Sequence, residues 1–226
     1  MGPNLKQLLG HVDHMILPSI LSTSHLHLYE QLEELRDVAS HIHVDIADGR
    51  FVPNISFGPK MIGEIYEEFG FKLDVHYMVT EPQRYIDLFK DIPQEWVSYH
   101  YETGVHPTDI SIPADSRKGI AVNPDTSLIA EDVLSSIDFL VIMGVYPGFG
   151  GAPFEESTFD HVRRYDALRK RTGLPFEILV DGGVGKDNIV ALKDSGADHF
   201  VVGSGVFKQR PRESFIELEH ICDTHD

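Results

Sequence analysis

The chain has 226 residues, 42% of them hydrophobic, which is enough for one sizeable core and matches the length of a single α/β barrel. With 36 acidic against 19 basic residues the formal charge is −17, which argues against nucleic acid or an anionic membrane as partner. No run reaches the roughly 18 apolar residues of a membrane span, and the start Met1-Gly2-Pro3-Asn4-Leu5-Lys6 has no basic stretch followed by an apolar one, so a cytoplasmic location is expected.

In chain order, short β-branched or apolar runs occur near Ile16–Ile20, His41–Ile46, Lys72–Met78, Trp96–His100, Gly119–Val122, Phe139–Met143, Glu177–Val180 and His199–Val202. Segments of helical periodicity separate them: Leu26–Ala39, Lys60–Phe69, Pro82–Phe89, Ile129–Ser135, Phe159–Thr172, Asp187–Ser195 and Arg212–Cys222. In the first of these, Leu28, Leu32, Leu35 and Ala39 recur every three or four residues, a stripe that should pack on a sheet. The stretch Val105–Ser116 carries Pro107 and Pro113 and no stripe, so a short or distorted helix is expected there. Eight strands alternating with helices point to a closed (β/α)8 barrel, the TIM barrel, as a single domain over residues 1–226. Cys222 is the only cysteine; it excludes an intramolecular disulfide and falls on an apolar stripe.

In such a barrel chemistry collects at the C-terminal ends of the strands. Strand two carries His43 and Asp45, two apart and hence on one face; strand three adds His76, and strand seven ends in Asp181. Two imidazoles and two carboxylates form a reasonable shell for one divalent transition metal, and such donors allow Zn, Fe, Mn or Co. Taken alone, a His-x-Asp pair on a strand is more often a satisfied buried pair. Four costly polar residues at the ends of three strands are harder to explain by packing. The net charge opposes an anionic ligand, so a phosphate would need backbone amides. Glycines follow strand six (Gly148, Gly150, Gly151), strand seven (Gly182, Gly183, Gly185) and strand eight (Gly203, Gly205). Any single cluster could be an ordinary turn.

Several stretches together resemble the ribulose-phosphate 3-epimerase family. They are Pro18-Ser19-Ile20-Leu21-Ser22, His43-Val44-Asp45, Asp48 through Pro59 (DGRFVPNISFGP), Asp74-Val75-His76, Pro147-Gly148-Phe149-Gly150-Gly151 and Val180-Asp181-Gly182-Gly183-Val184. The resemblance implies one divalent metal per subunit on His43, Asp45, His76 and Asp181, with Asp45 and Asp181 as the two acid/base residues. It places Ser19 and His76 against a phosphorylated ketose, with Met78 and Met143 on the wall. Gly148, Phe149, Gly150, Gly151, Gly182, Gly183, Gly203 and Ser204 would take the phosphate end, and the chain would form a homo-oligomer. Inverting a carbon beside a ketone needs a proton removed on one face and returned on the other, which two opposed carboxylates can do. The loop Pro147–Gly151 is a candidate lid.

Three departures bear on substrate: Ala47 stands where the family usually has methionine, Ala152 where it usually has glutamine, and Val105–Ser116 is short for a fourth helix. D-Ribulose 5-phosphate to D-xylulose 5-phosphate is the expected reaction. A phosphorylated hexulose is the alternative if Ala47 leaves room, and a non-catalytic sugar-phosphate-binding barrel is a second. A decarboxylase on a related barrel is disfavoured, because Ile46, Ala47 and Asp48 follow Asp45 with no lysine. His100 and Glu102, after strand four, could orient the site or serve only as structural hydrogen-bond partners.

Overall fold

The structure, a computed structural model, describes residues 14–148 and 152–224. Its eight strands are β1 (Met15–Pro18), β2 (His41–Ala47), β3 (Lys72–Met78), β4 (Trp96–His100), β5 (Arg117–Val122), β6 (Phe139–Met143), β7 (Glu177–Asp181) and β8 (His199–Val202). All pair in parallel, in the order β1-β8-β7-β6-β5-β4-β3-β2. A parallel bridge between Ser19 and His43 brings the two ends of that order together, giving a (β/α)8 barrel. Every strand expected from the sequence is present.

The strands are buried on both faces, so alternate residues feed two cores. Ile42, Val44 and Ile46 of β2 join the outer layer with Leu28, Leu32 and Leu35 of the first helical segment. Leu17, Trp96, Ala121, Phe139, Val141, Leu179 and Val201 fill the barrel interior. Gly119 of β5 makes room there, since a Cβ at that position would run into the Phe139 ring. Cys222 is buried, as its stripe implies.

The outer helices are α1 (Leu28–Glu33), α2 (Pro59–Phe69), α3 (Pro82–Leu88), α4 (Glu131–Leu134), α5 (Ser157–Thr172), α6 (Ile189–Asp194), α7 (Ser204–Phe207) and α8 (Pro211–Asp223). One differs from expectation. The helix expected over Leu26–Ala39 stops at Glu33 and tightens into i→i+3 bonds, Leu35 N to Leu32 O at 3.0 Å and Val38 N to Leu35 O at 3.0 Å. Its stripe is kept, with Leu28, Leu32, Leu35 and Ala39 all buried. The short or distorted helix expected over Val105–Ser116 is a single 3₁₀ turn at Pro107–Asp109. The carbonyls of Pro107 and Ile110 accept from Lys118 Nζ, at 2.7 Å each. The short α7, directly after β8, has no periodicity long enough to read from sequence.

Candidate active site and metal centre

The C-terminal mouth of the barrel gathers the polar residues that the strand pattern singles out. His43 and Asp45 project from β2, His76 from β3 and Asp181 from the end of β7, and all four are buried. One ligand atom from each lies within 4.8 Å of the others, and among the described residues no other such group is found. The separations are 3.3 Å from His43 Nε2 to Asp45 Oδ1, 3.7 Å from His43 Nε2 to Asp181 Oδ2, and 3.3 and 3.4 Å from His76 Nδ1 to the same two oxygens. Four donors set tetrahedrally at about 2.0–2.2 Å from one ion would stand roughly 3.3–3.6 Å apart, so the group has the dimensions of a cation site.

Hydrogen bonds around the cluster leave these atoms facing inward. Ser19 Oγ donates to Asp45 Oδ2 at 2.8 Å, so Oδ1 faces the histidines. His43 Nδ1 donates to Asp74 Oδ2 at 2.6 Å, which leaves Nε2 with its lone pair toward the centre when the ring is neutral. His76 Nδ1 meets the two carboxylates at angles that make neither contact a directed hydrogen bond, and it is otherwise unpartnered. On its far side His76 Nε2 lies 3.0 Å from His100 Nε2, and His100 Nδ1 lies 3.0 Å from Glu102 Oε2.

Protonation follows from the same contacts. Burial is the largest influence on His43 and disfavours the imidazolium, yet Asp45, Asp74 and Asp181 together hold its pKa well above the ordinary 6.5. Burial likewise opposes charge on His76, and contacts with Asp181 and Asp45 raise it nonetheless. Burial would raise Asp45, but His43 and His76 pull it far below the usual carboxylate range. His100, which touches no carboxylate of the cluster, is pushed down by burial to about 4 against the pull of Glu102, and is neutral. Two imidazolium protons and one divalent cation are electrically equivalent here. The cluster gathers positive charge by whichever route is open, and these residues could hold a metal.

Around the cluster, the cavity is lined by Ser19, Met78, Met143, Gly148, Gly182, Gly183, Gly203 and Ser204, all sequence-predicted. Leu21, Ser22, Val145, Pro147 and Val184 complete the wall. Phe149, Gly150 and Gly151 lie outside the described residues. Gly182 has a φ of +100°, and a Cβ on it would stand 2.5 Å from Val145 Cγ2; the backbone reaches the cavity because no side chain stands there. Asn54 Nδ2 donates to Gly148 O at 2.7 Å and ties the loop after β2 to the loop after β6.

Ala47 is not among the lining residues. It is buried with Val52 and Met78 in a small apolar cluster, against partly buried Leu21 and Phe51, and so stands behind Met78 and Leu21, which line the cavity. Asp74 is the functional residue that the strand-end reading passes over. The signal was present: Asp74 lies two residues before His76 on β3 and shares its inward face.

The pattern described as the ribulose-phosphate 3 epimerase family matches residues 15–207. A ribulose-phosphate 3-epimerase of Aquifex aeolicus is 34% identical over 88% of this chain and 92% of its own length. One from Synechocystis is 36% identical over 85% and 87%. The chloroplastic ribulose-5-phosphate-3-epimerase of Arabidopsis thaliana is 38% identical over 86% of this chain and 72% of its own. Among solved structures, orotidine 5'-phosphate decarboxylase of Pyrococcus horikoshii superposes with a TM-score of 0.64 at 14% identity, covering 92% of this chain and 99% of that one. Thiamine phosphate pyrophosphorylase of Pyrococcus furiosus does so at 0.63 and 17%, covering 96% and 98%. At those identities the likeness shows the barrel alone. Among the described residues no helix is long and apolar enough to cross a membrane.

Proposed function

The chain belongs to the ribulose-phosphate 3-epimerase family, and from that premise we propose that it interconverts D-ribulose 5-phosphate and D-xylulose 5-phosphate by inverting C3, with Asp45 and Asp181 as the acid/base pair. The observation that carries this is the convergence of two carboxylates and two imidazoles on one point, with the carboxylates lining a cavity that glycine backbone also lines.

The carboxylates come from different strands, β2 and β7, and so can approach a bound ketose from opposite sides. One begins ionised and takes the C3 proton; the other begins protonated and returns a proton to the opposite face. The two have then exchanged states, and the reverse reaction starts from that exchange. Ser19 holds Asp45 by its outer oxygen and so limits rotation of the carboxylate during transfer. Met78 and Met143 form an apolar wall that keeps water from the carbanionic carbon. Gly182, Gly183, Gly203 and Ser204 offer the close backbone approach a phosphate needs, in a chain whose net charge of −17 would otherwise repel it. A divalent cation on His43, Asp45, His76 and Asp181, one per subunit and drawn from Zn, Fe, Mn or Co, would supply Lewis-acid stabilisation of the developing enediolate charge, worth several kcal/mol. A single barrel domain over residues 1–226, a homo-oligomeric state and a cytoplasmic location belong to the same proposal.

The test is solvent-deuterium incorporation at C3 of D-ribulose 5-phosphate, run beside a phosphohexulose, after chelation and after metal repletion. Metal-dependent label with appearance of D-xylulose 5-phosphate is expected. Label on the hexulose alone would move the substrate, and no label on either would leave a binding protein.

A further inference from the structure

The side chains behind His76 form a directed chain that reaches from the buried cluster to the rim. His76 Nε2 lies 3.0 Å from His100 Nε2, and His100 Nδ1 lies 3.0 Å from Glu102 Oε2. Both imidazoles are fully buried, whereas the Glu102 side chain is 23% exposed. The other oxygen of Glu102 accepts from Asn123 N at 2.8 Å and from Thr126 Oγ1, in the loop after β5.

A proton count along this chain has one solution for a neutral pair of rings. Glu102 is an ionised acceptor, so the proton of His100 must sit on Nδ1. His100 Nε2 is then an acceptor, and the hydrogen bond to it must come from Nε2–H of His76. The remaining nitrogen, His76 Nδ1, carries a lone pair, and this is the atom that faces Asp45 and Asp181 with no directed hydrogen bond to either. A lone pair aimed at two carboxylates is repulsive unless a cation stands between them.

We propose that Glu102 is a positioning residue of the metal centre: acting through His100, it fixes the proton of His76 on Nε2 and so presents Nδ1 to the cation. This rests on the metal site proposed above and adds to it a carboxylate that touches neither metal nor substrate. The two ligand histidines are thus set by different means, His43 by direct contact with buried Asp74 and His76 by a relay ending in a half-buried carboxylate tied to a loop.

Glu102→Gln tests this with little change of shape. The loop-side oxygen faces two donors, Asn123 N–H and Thr126 O–H, so the glutamine must place its carbonyl there and turn its NH2 toward His100. That reverses the proton on His100, and its Nε2–H then drives the proton of His76 onto Nδ1, the ligand atom. Using cobalt(II) as probe, titrated in competition with a chelator, the variant should bind about 10–100-fold more weakly than wild type, with an unchanged circular dichroism spectrum. Nitrogen-15 histidine spectra of the zinc-loaded wild type should show a protected Nε2–H on His76 that is lost in the variant. Thr126→Val, which removes only a loop contact, should bind cobalt(II) as wild type does. Equal cobalt(II) affinity and an unchanged His76 tautomer in Glu102→Gln would overturn the proposal while leaving the metal site intact. Failure of the wild type to bind cobalt(II) at the four ligands would remove that site and this inference with it.

Discussion

The two ends of the barrel treat buried carboxylates in opposite ways. At the N-terminal end buried Asp198 pairs with Arg169, which also holds partly buried Asp166, and Oε2 of partly buried Glu177 lies 2.7 Å from Arg117 and 2.9 Å from His199. The set is completed by backbone, with Ile178 N on Asp198 at 2.7 Å and Arg169 Nη2 on Gly196 O at 2.9 Å. At the C-terminal end the described ion pairs of Asp45 and Asp181 involve only His43 and His76. Where the chain completes its own charge, the carboxylates hold strands together. Where it leaves the charge to imidazoles, the carboxylates are available to a cation and a substrate.

If this contrast is right, substitutions at the two ends should separate activity from stability. The largest effect should come from Asp45→Asn or Asp181→Asn, each lowering kcat about 10²–10⁴-fold with the melting curve of the apo protein little lowered. Near-normal turnover in either would break the two-carboxylate reading. Next, Arg169→Ala removes the guanidinium from buried Asp198, while Asp166 keeps Lys170, and should remove about 3 kcal/mol of stability, or roughly 6–12 °C of melting temperature. Its kcat at a permissive temperature should be unaltered, and a loss of activity without a loss of stability would show that the lower end is not merely structural.

Asp74→Asn sharpens the contrast from within the mouth. It keeps the shape but removes the charge behind His43, and should weaken cobalt(II) binding about 10–100-fold, read by chelator competition. The smallest effect is a pH dependence at the lower end. Burial alone would raise Glu177, but His199 and Arg117 hold it at about 2, below its ordinary 4.5. Its contribution is complete above pH 4.5 and is lost as the pH falls toward 2. The stability gap between wild type and Glu177→Gln, from denaturant melts, should therefore narrow over that window; a gap independent of pH would remove the pairing as its cause.

Most of this architecture was legible in the residues. Runs such as Trp96–His100 and Phe139–Met143 are continuous, buried on both faces and bounded by turn residues, so their limits coincide with the observed strands. The four cluster residues were legible because inward alternation on β2, β3 and β7 puts costly polar groups where only a site explains them. Less legible were features decided by tertiary contact. No stripe shows that Lys118 takes the carbonyls of Pro107 and Ile110 around the 3₁₀ turn, or that the α1 segment tightens after Glu33. The setting of Ala47 was likewise not legible, because the strand pattern does not show that it packs behind the cavity-lining Met78, beside Val52.

The bridge that joins Ser19 to His43 makes closure of the ring part of building the site. β1 pairs along its length with β8, as far off as the 184 residues between His14 and Asp198, and meets β2 only at this seam. Contacts so distant in sequence carry the greatest loop-closure cost and are the slowest to form. A chain with β1 undocked can build most of its sheet, yet it lacks the hydroxyl that steadies Asp45 and the neighbour that seats His43. The proposed catalytic pair is therefore complete only in the closed ring, where Ser19 is held by Val202 O on one side and reaches Asp45 on the other.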